Sequence, residues 1–380
     1  MILKKTLCSL AILSAFAAGS AHAQSSVTLY GIIDAGFATQ TNGNAAGDRV
    51  TSFQDAQILP SIYGMKGSED LGGGLKVGFN LEGGFNAGNG QHNSPGVYQS
   101  QIFGREAKVT LGGDWGTVGA GMQVDPALIA SISTEPRGLT DSFSLLEYWI
   151  GATLFNGGGL AATASGSLGG GIFDVNSLTY TYTGNGLYVG LEYGFGGIAG
   201  SNSAGQTESV GISYAHSGFL VSGSYAKSNT VDPTGVTGGA SEITDFGLGY
   251  DFGNFALRAQ YGEFKASFGI FGGQGSNYSN DVQSWGIGGD WKTSVSNKIN
   301  VSYYDAKDKG AGFGGKTREI ALLDIYALSK RTQVYAQVVN VNADATAGLS
   351  AMIGGVYGTP NLLANAGGTT YFGVGVQHSF

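Results

Sequence analysis

Short stretches of this chain alternate apolar and polar residues with a period of two, and they recur from one end to the other. Within 245–252, Phe246, Leu248, Tyr250 and Phe252 share one face, and Asp245, Gly247, Gly249 and Asp251 share the other. Within 187–195, Leu187, Val189, Leu191, Tyr193 and Phe195 line up opposite Glu192 and glycines. Such a period means strands with one apolar and one polar face. Sixteen runs of this kind lie near 26–38, 57–67, 75–86, 101–113, 116–123, 173–183, 187–196, 206–216, 218–228, 243–252, 254–267, 281–293, 298–309, 317–329, 332–342 and 370–380. Two are less clean: 320–325 is apolar on both faces, and Glu106 and Lys108 interrupt the fourth run.

The connections add a second pattern. Every other one is short, as in SEDLGGG, Gly184-Asn185-Gly186 or Lys330-Arg331. The rest are long and rich in Gly, Ser and Asn: 39–56, 87–100, 124–172, 229–242 and 343–369. An even number of strands with alternating short and long connections is expected of an antiparallel barrel that spans an outer membrane, with the short turns periplasmic and the long loops outside. Backbone in hydrocarbon must be fully paired, so strands can cross only as a closed barrel. A secreted soluble β-sandwich or β-helix would also alternate. It would carry roughly 25% charged residues, whereas this chain has 12%. The 68 glycines show no Gly-X-Y period, and 20 Phe, 19 Tyr and 4 Trp are too many for a disordered chain.

The first 23 residues read as a secretory signal: Lys4 and Lys5, an apolar core from Leu7 to Ala18, and a small-x-small site at Ala21-His22-Ala23. The domain reading is therefore a signal peptide over 1–23 and one barrel over 24–380. The single cysteine, Cys8, falls inside the signal, so the mature chain has no disulfide, thiol nucleophile or cysteine metal site. The 19 Lys and Arg less Lys4 and Lys5 leave 17 against 27 Asp and Glu, a net charge of −10 that argues against a nucleic-acid partner.

The stretches SSVTLYGIIDAG (25–36), GMKGSEDLGGGLKVGFNLEGGF (64–85), FGREAKVTLGGDWGTVGAG (103–121), NSLTYTYTGNGLYVGLEYGFGG (176–197), YALSKRTQVYAQVVNV (326–341) and FGVGVQHSF (372–380) resemble the general porins of Gram-negative, especially betaproteobacterial, outer membranes. The resemblance runs the length of the mature chain and is weakest in the long loops. It implies a sixteen-stranded barrel, a homotrimer, and a water-filled pore through which ions and small hydrophilic solutes diffuse. It also implies an inward-folded third loop, here 124–172, that narrows the pore.

In the family, wall arginines face acidic residues of that loop. Those arginines fall on Ile62, Arg105 and Phe173, so only Arg105 is kept. The loop candidates are Asp125, Glu135 and Asp141, with Arg137 among them, and the usual Pro-Glu-Phe-Gly element is lacking. A constriction with fewer arginines implies a weak anion or a cation preference. The end of the chain, with Phe380 preceded by Phe372, Val374 and Val376, resembles the signal read by the outer-membrane assembly machinery. Further expected partners are outer-membrane lipid and lipopolysaccharide.

Other motifs lose their force in context. Gly184-Asn185-Gly186 joins two strands and opens no helix, so it reads as a tight hairpin turn and not a phosphate loop. His92, His216 and His378 are isolated, and no metal or cofactor is expected. Serines are many, but no Ser–His–acid set stands out, so no enzymatic activity is expected. The rival functions are a barrel acting as a loop-based adhesin or receptor, and a barrel acting as a lipase-type enzyme.

Overall fold

The structure, a computed structural model, describes residues 26–44, 46–92, 101–138, 144–145, 171–231, 237–267, 280–310, 315–344 and 367–380; the signal segment and Asp141 lie outside them. Described residues form β1 (Ser26–Gln40), β2 (Val50–Asp55), β3 (Ile62–Gly72), β4 (Leu75–Gly84), β5 (Glu106–Gly113), β6 (Gly116–Val124) and a short helix α1 (Pro126–Ile132). The chain continues through β7 (Phe173–Gly184), β8 (Leu187–Gly194), β9 (Thr207–His216), β10 (Phe219–Val231), β11 (Thr237–Asp251) and β12 (Phe255–Ala266). It ends with β13 (Asn280–Lys292), β14 (Asn297–Asp308), β15 (Gly315–Ala327), β16 (Thr332–Ala343) and β17 (Gly367–Ser379). β1 pairs antiparallel with both β2 and β3, each strand from β3 onward pairs antiparallel with the next, and β1 pairs with β17, which closes the sheet. Closure satisfies the backbone of every stave without leaving an edge.

The barrel has sixteen staves although the described residues form seventeen strands, because β2 and β3 are two halves of one stave. The upper half of β1 pairs with β2 (Ala35 opposite Asp55), and the lower half pairs with β3 (Ile32 opposite Ile62). Residues 56–61 leave the sheet between them. The run expected over 57–67 therefore starts only at Ile62, and the expected loop 39–56 is shortened by β2. The cause is local. Pro60 has no N–H to give a ladder, and Asp34 of β1 accepts the backbone N–H groups of Ile58 and Leu59 at 3.0 Å each. Ser61 donates to Asp55 at 2.6 Å, and Tyr371 donates to Gln57 at 2.8 Å. The bulge is thus pinned into the lumen. The fourth run, expected from 101, becomes a strand only at Glu106.

The two faces of the wall differ as the alternation requires. On β11 the inward Asp245 is 2% exposed, while the outward Phe246 and Leu248 are 59% and 64% exposed. Inward positions elsewhere bury Ser222, Ser224, Gln260, Ser284, Asn300 and Gln337. A polar inside and an apolar outside invert the pattern of a soluble protein. Aromatic residues border the outer band. Phe219–Tyr250 and Phe255–Trp291 lie near the short-turn end with ring centroids 4.5 and 5.8 Å apart; Trp285–Tyr303, at 5.4 Å, lies toward the long-loop end. The short turns use the residues their geometry needs. Asn185 and Gly186 have φ of 52° and 80°. In SEDLGGG, Asp70 accepts the N–H of Gly72 at 2.8 Å, and Gly72, Gly73 and Gly74 all take positive φ.

Candidate functional site

The third long connection begins by turning into the barrel. Asp125 caps helix α1, its carboxylate accepting the Ala127 N–H at 2.6 Å, and Pro126 opens the first turn. The helix then lies flat on the inner wall. Its closeness depends on small residues beneath it: a Cβ on Gly211 would stand 2.5 Å from the Pro126 carbonyl oxygen, and one on Gly190 would stand 2.5 Å from the Pro126 Cβ. Polar wall residues hold what glycines make room for. Tyr188 donates to the Pro126 carbonyl at 3.1 Å, Ser131 donates to Asp245 at 3.0 Å, and Gln260 donates to the Ser131 carbonyl at 3.0 Å. Thr134 and Ser222 share a hydrogen bond of 2.6 Å.

Beyond the helix the chain crosses toward β14–β16. Tyr304 donates to Glu135 at 2.5 Å, Asn300 donates to the Pro136 carbonyl at 3.0 Å, and Arg137 donates to Gln337 at 2.9 Å. Glu135 also accepts the Arg137 N–H at 2.7 Å. Burial pushes the Glu135 carboxyl up to about 7, against the lowering effect of these donors and of the Arg137 charge. Asp125, buried beside Asp174, Glu192 and Ser209, is pushed well above the usual carboxylate range, by burial first and by the Asp174 charge second.

Between α1 and the inner faces of β5–β8 lies a cavity of about 470 Å³. One side is polar, with Arg105, Glu106, Lys108, Thr110, Thr117 and Thr179. The apolar part of the lining comes from Leu59 and Pro60 of the inward bulge and Ile129 and Ile132 of the helix, with Phe173 beside Arg105. The cations here are paired. Arg105 Nε meets Glu82 Oε1 at 2.6 Å, and its guanidinium lies 4.7 Å from the centre of the Phe173 ring. Lys108 meets Glu106 at 2.7 Å. Lys66, further toward the short-turn end, stands 5.2 Å over the ring of Tyr30.

A closed sheet, a polar lumen, an apolar outer band and a loop laid inside are what a diffusion pore requires. A sequence profile of Gram-negative porins matches residues 9–347. The chain belongs to the Gram-negative porin family. It is 32% identical to outer membrane porin protein 32 of Delftia acidovorans, with all of both chains covered. It is 29% identical to an outer membrane porin protein of Bordetella pertussis over 72% of each chain. Among solved structures, an anion-selective porin from Comamonas acidovorans superposes with a TM-score of 0.73 at 26% identity, covering 94% of this chain and all of that one. This porin is accordingly an outer-membrane channel.

Of the residues singled out from the sequence, the porin brings Arg105 and Phe173 into direct contact at the cavity. Ile62 is buried at the start of β3, outside the cavity lining. Asp125, Glu135 and Arg137 are buried and hydrogen-bonded where the loop meets the wall, also outside that lining. Phe372, Val374, Val376 and Phe380 are exposed on the outer face, and the backbone of Phe380 pairs with Gly31 at 3.0 and 3.2 Å. Sequence reasoning missed Glu82, Leu59 and Pro60. The available signals were a lone carboxylate at an inward position of β4 and a proline inside an apparent strand.

Proposed function

We propose that this porin is a homotrimeric diffusion channel whose constriction passes small ions of either sign, with only a weak anion preference. The observation that carries the reading is the pairing of both cavity cations: Glu82 answers Arg105 at 2.6 Å and Glu106 answers Lys108 at 2.7 Å. A paired charge presents a much smaller field to a passing ion than a bare one. The loop carboxylates of Asp125 and Glu135 are occupied in anchoring, so they add little opposite field. Lys66 tips the balance toward anions. The trimer is supported by a fold-level neighbour, OmpT of Vibrio cholerae, which is described in a trimer form.

The same reading makes 1–23 a cleaved export signal and the exposed row Phe372, Val374, Val376 and Phe380 the surface met by the assembly machinery. It assigns no covalent chemistry to the barrel, and lipid with lipopolysaccharide surrounds it. Reconstitution into a planar bilayer tests the channel reading. Stable open steps are expected. A barrel that inserts but never opens would favour the adhesin or receptor reading instead. Gel mobility before and after heating tests the trimer.

A further inference from the structure

Among the described residues of β9–β15, outward charges gather above the apolar band at the long-loop ends of the strands, with Asp324 of β15 lying toward the short-turn end, and those above the band fall into two unlike regions. Across β9–β13 they alternate in sign from strand to strand. Glu208 stands opposite Lys227, Lys227 opposite Glu242, Glu242 opposite Lys265, and Lys265 opposite Asp281. Lys227 bonds Glu242 at 3.1 Å, and Lys265 bonds Glu263 at 2.9 Å. In this half of the collar both lysines are paired and carboxylates are in excess.

Across β14–β15 the alternation fails. Lys307 stands directly opposite Lys316, with Lys309 and Arg318 one pleat away on the same face. Like charges in register are unfavourable. Asp305 is the carboxylate that these two strands set beside the cluster, since Asp324, on the same face of β15, lies toward the short-turn end; Asp305 already serves Lys316 at 2.9 Å and Arg318 at 3.4 Å. Lys309 turns to Gln283, and Lys307 makes no ion pair among the described residues. Asp281 flanks Lys309 and Asp344 flanks Lys316 through backbone pairing, which leaves the patch cationic. The sequence of the neighbouring connections adds nothing to balance it: 267–279, 310–314 and 345–366 contain no Asp or Glu. Directly below the patch lie Trp285 and Tyr303, rings of the aromatic border facing lipid.

We propose that Lys307, Lys309, Lys316 and Arg318 form a docking site for the phosphorylated headgroup of an outer-leaflet lipid. The proposal rests on the barrel standing in an outer membrane and gives one address to the lipid contact of the functional reading. Acyl chains would lie along the apolar band while phosphate oxygens accept from the lysines and the guanidinium.

The test uses the full-length porin folded in phosphatidylcholine vesicles that contain a small fraction of either bisphosphorylated lipid A or the same lipid with both phosphates removed. Retained lipid is counted by mass spectrometry after detergent extraction. The wild type is expected to retain the phosphorylated form and not the dephosphorylated one. Lys307→Gln with Lys316→Gln should lower retention by about thirtyfold, since each basic residue near such a surface contributes about fivefold. Lys265→Gln, in the self-paired half, should retain lipid as the wild type does. Unheated gel mobility checks that each variant is folded.

Equal retention by wild type and double variant overturns the proposal, as does equal retention of the dephosphorylated lipid or an equal loss with Lys265→Gln. Inorganic phosphate that binds in the absence of lipid A and displaces it completely would assign the patch to a free anion and overturn the lipid assignment. Bilayer conductance separates the two ideas: a barrel with no open steps strikes the channel reading and leaves lipid retention untouched.

Discussion

The inner faces of β4–β5 and of β8–β11 belong to one wall and obey one alternation, yet charge is concentrated on the first, whereas the second sets small residues between the buried Glu192 and Asp245. On β4–β5 the inward positions are long and charged: Glu82, Glu106 and Lys108. On β8–β11 they include Gly190, Ser209, Gly211, Ser222, Ser224 and Gly247, several of them within contact distance of α1 or Thr134. The first region borders the cavity and the second meets a segment of the same chain. Inward polarity is demanded by the pore, and inward size is demanded by whatever lies against the wall.

The largest effect should follow from spoiling the second region. Gly211→Val puts side-chain atoms where the Pro126 carbonyl and Ala127 now sit, at a cost of about 1–3 kcal/mol if the helix stays. The helix is expected to lift, with single-channel conductance changed by tens of per cent and noisier open states. Gly223→Ala is the matched control, because its Cβ would meet nothing closer than 3.5 Å, and its traces should match the wild type. Equal effects of the two would mean that the glycines do not seat the loop.

Next in size is a change to the first region. Arg105→Gln leaves Glu82 without its 2.6 Å partner beside the cavity, so the reversal potential in a KCl gradient should move toward cations. No movement would show that Arg105 lies outside the ion path.

A smaller effect separates the two regions by pH. Glu135 has its carboxyl raised to about 7, from the ordinary 4.5, so the folded loop binds a proton that the detached loop releases. Its contribution is fully present below about 4.5, falls as pH rises to about 7, and is flat above. The slope is at most about 1.4 kcal/mol per pH unit. Conductance noise from loop movement should therefore grow between pH 5 and pH 7. Glu135→Gln should remove that dependence, while Arg105→Gln should keep it. Noise that falls with rising pH would contradict the sign.

The smallest effect is expected at Ile62. Ile62→Arg introduces a charge outside the present cavity lining, so it should shift the reversal potential toward anions by less than Arg105→Gln shifts it toward cations. A larger shift would relocate the narrowest zone toward β3.

Most of the wall could be read from the sequence, because alternation, turn residues and connection lengths are local. The interrupted stave could not. Its inward bulge depends on Asp34, Tyr371 and Gln57, which lie far apart in the chain, and only Pro60 gave a local hint. The site divides in the same way. Arg105 was legible from the short FGR match. Its ion pair was not, since Glu82 is 23 residues distant and reaches it only across the β4–β5 pairing. Phe173 stood out as a missing arginine, whereas its place beneath the Arg105 guanidinium needed the third dimension. Asp125 and Glu135 were legible as charges but not as anchors, because burial against β8 and β14 is set by the wall.

The pairing of cavity charges is most directly tested by the reversal potential of the wild type beside that of Glu82→Gln combined with Glu106→Gln, recorded in a KCl gradient at neutral pH. The wild type should reverse close to zero on the anion side, and the double variant, with Arg105 and Lys108 unmasked, should reverse far toward anions. A strongly anion-selective wild type that the double substitution leaves unchanged would contradict the account.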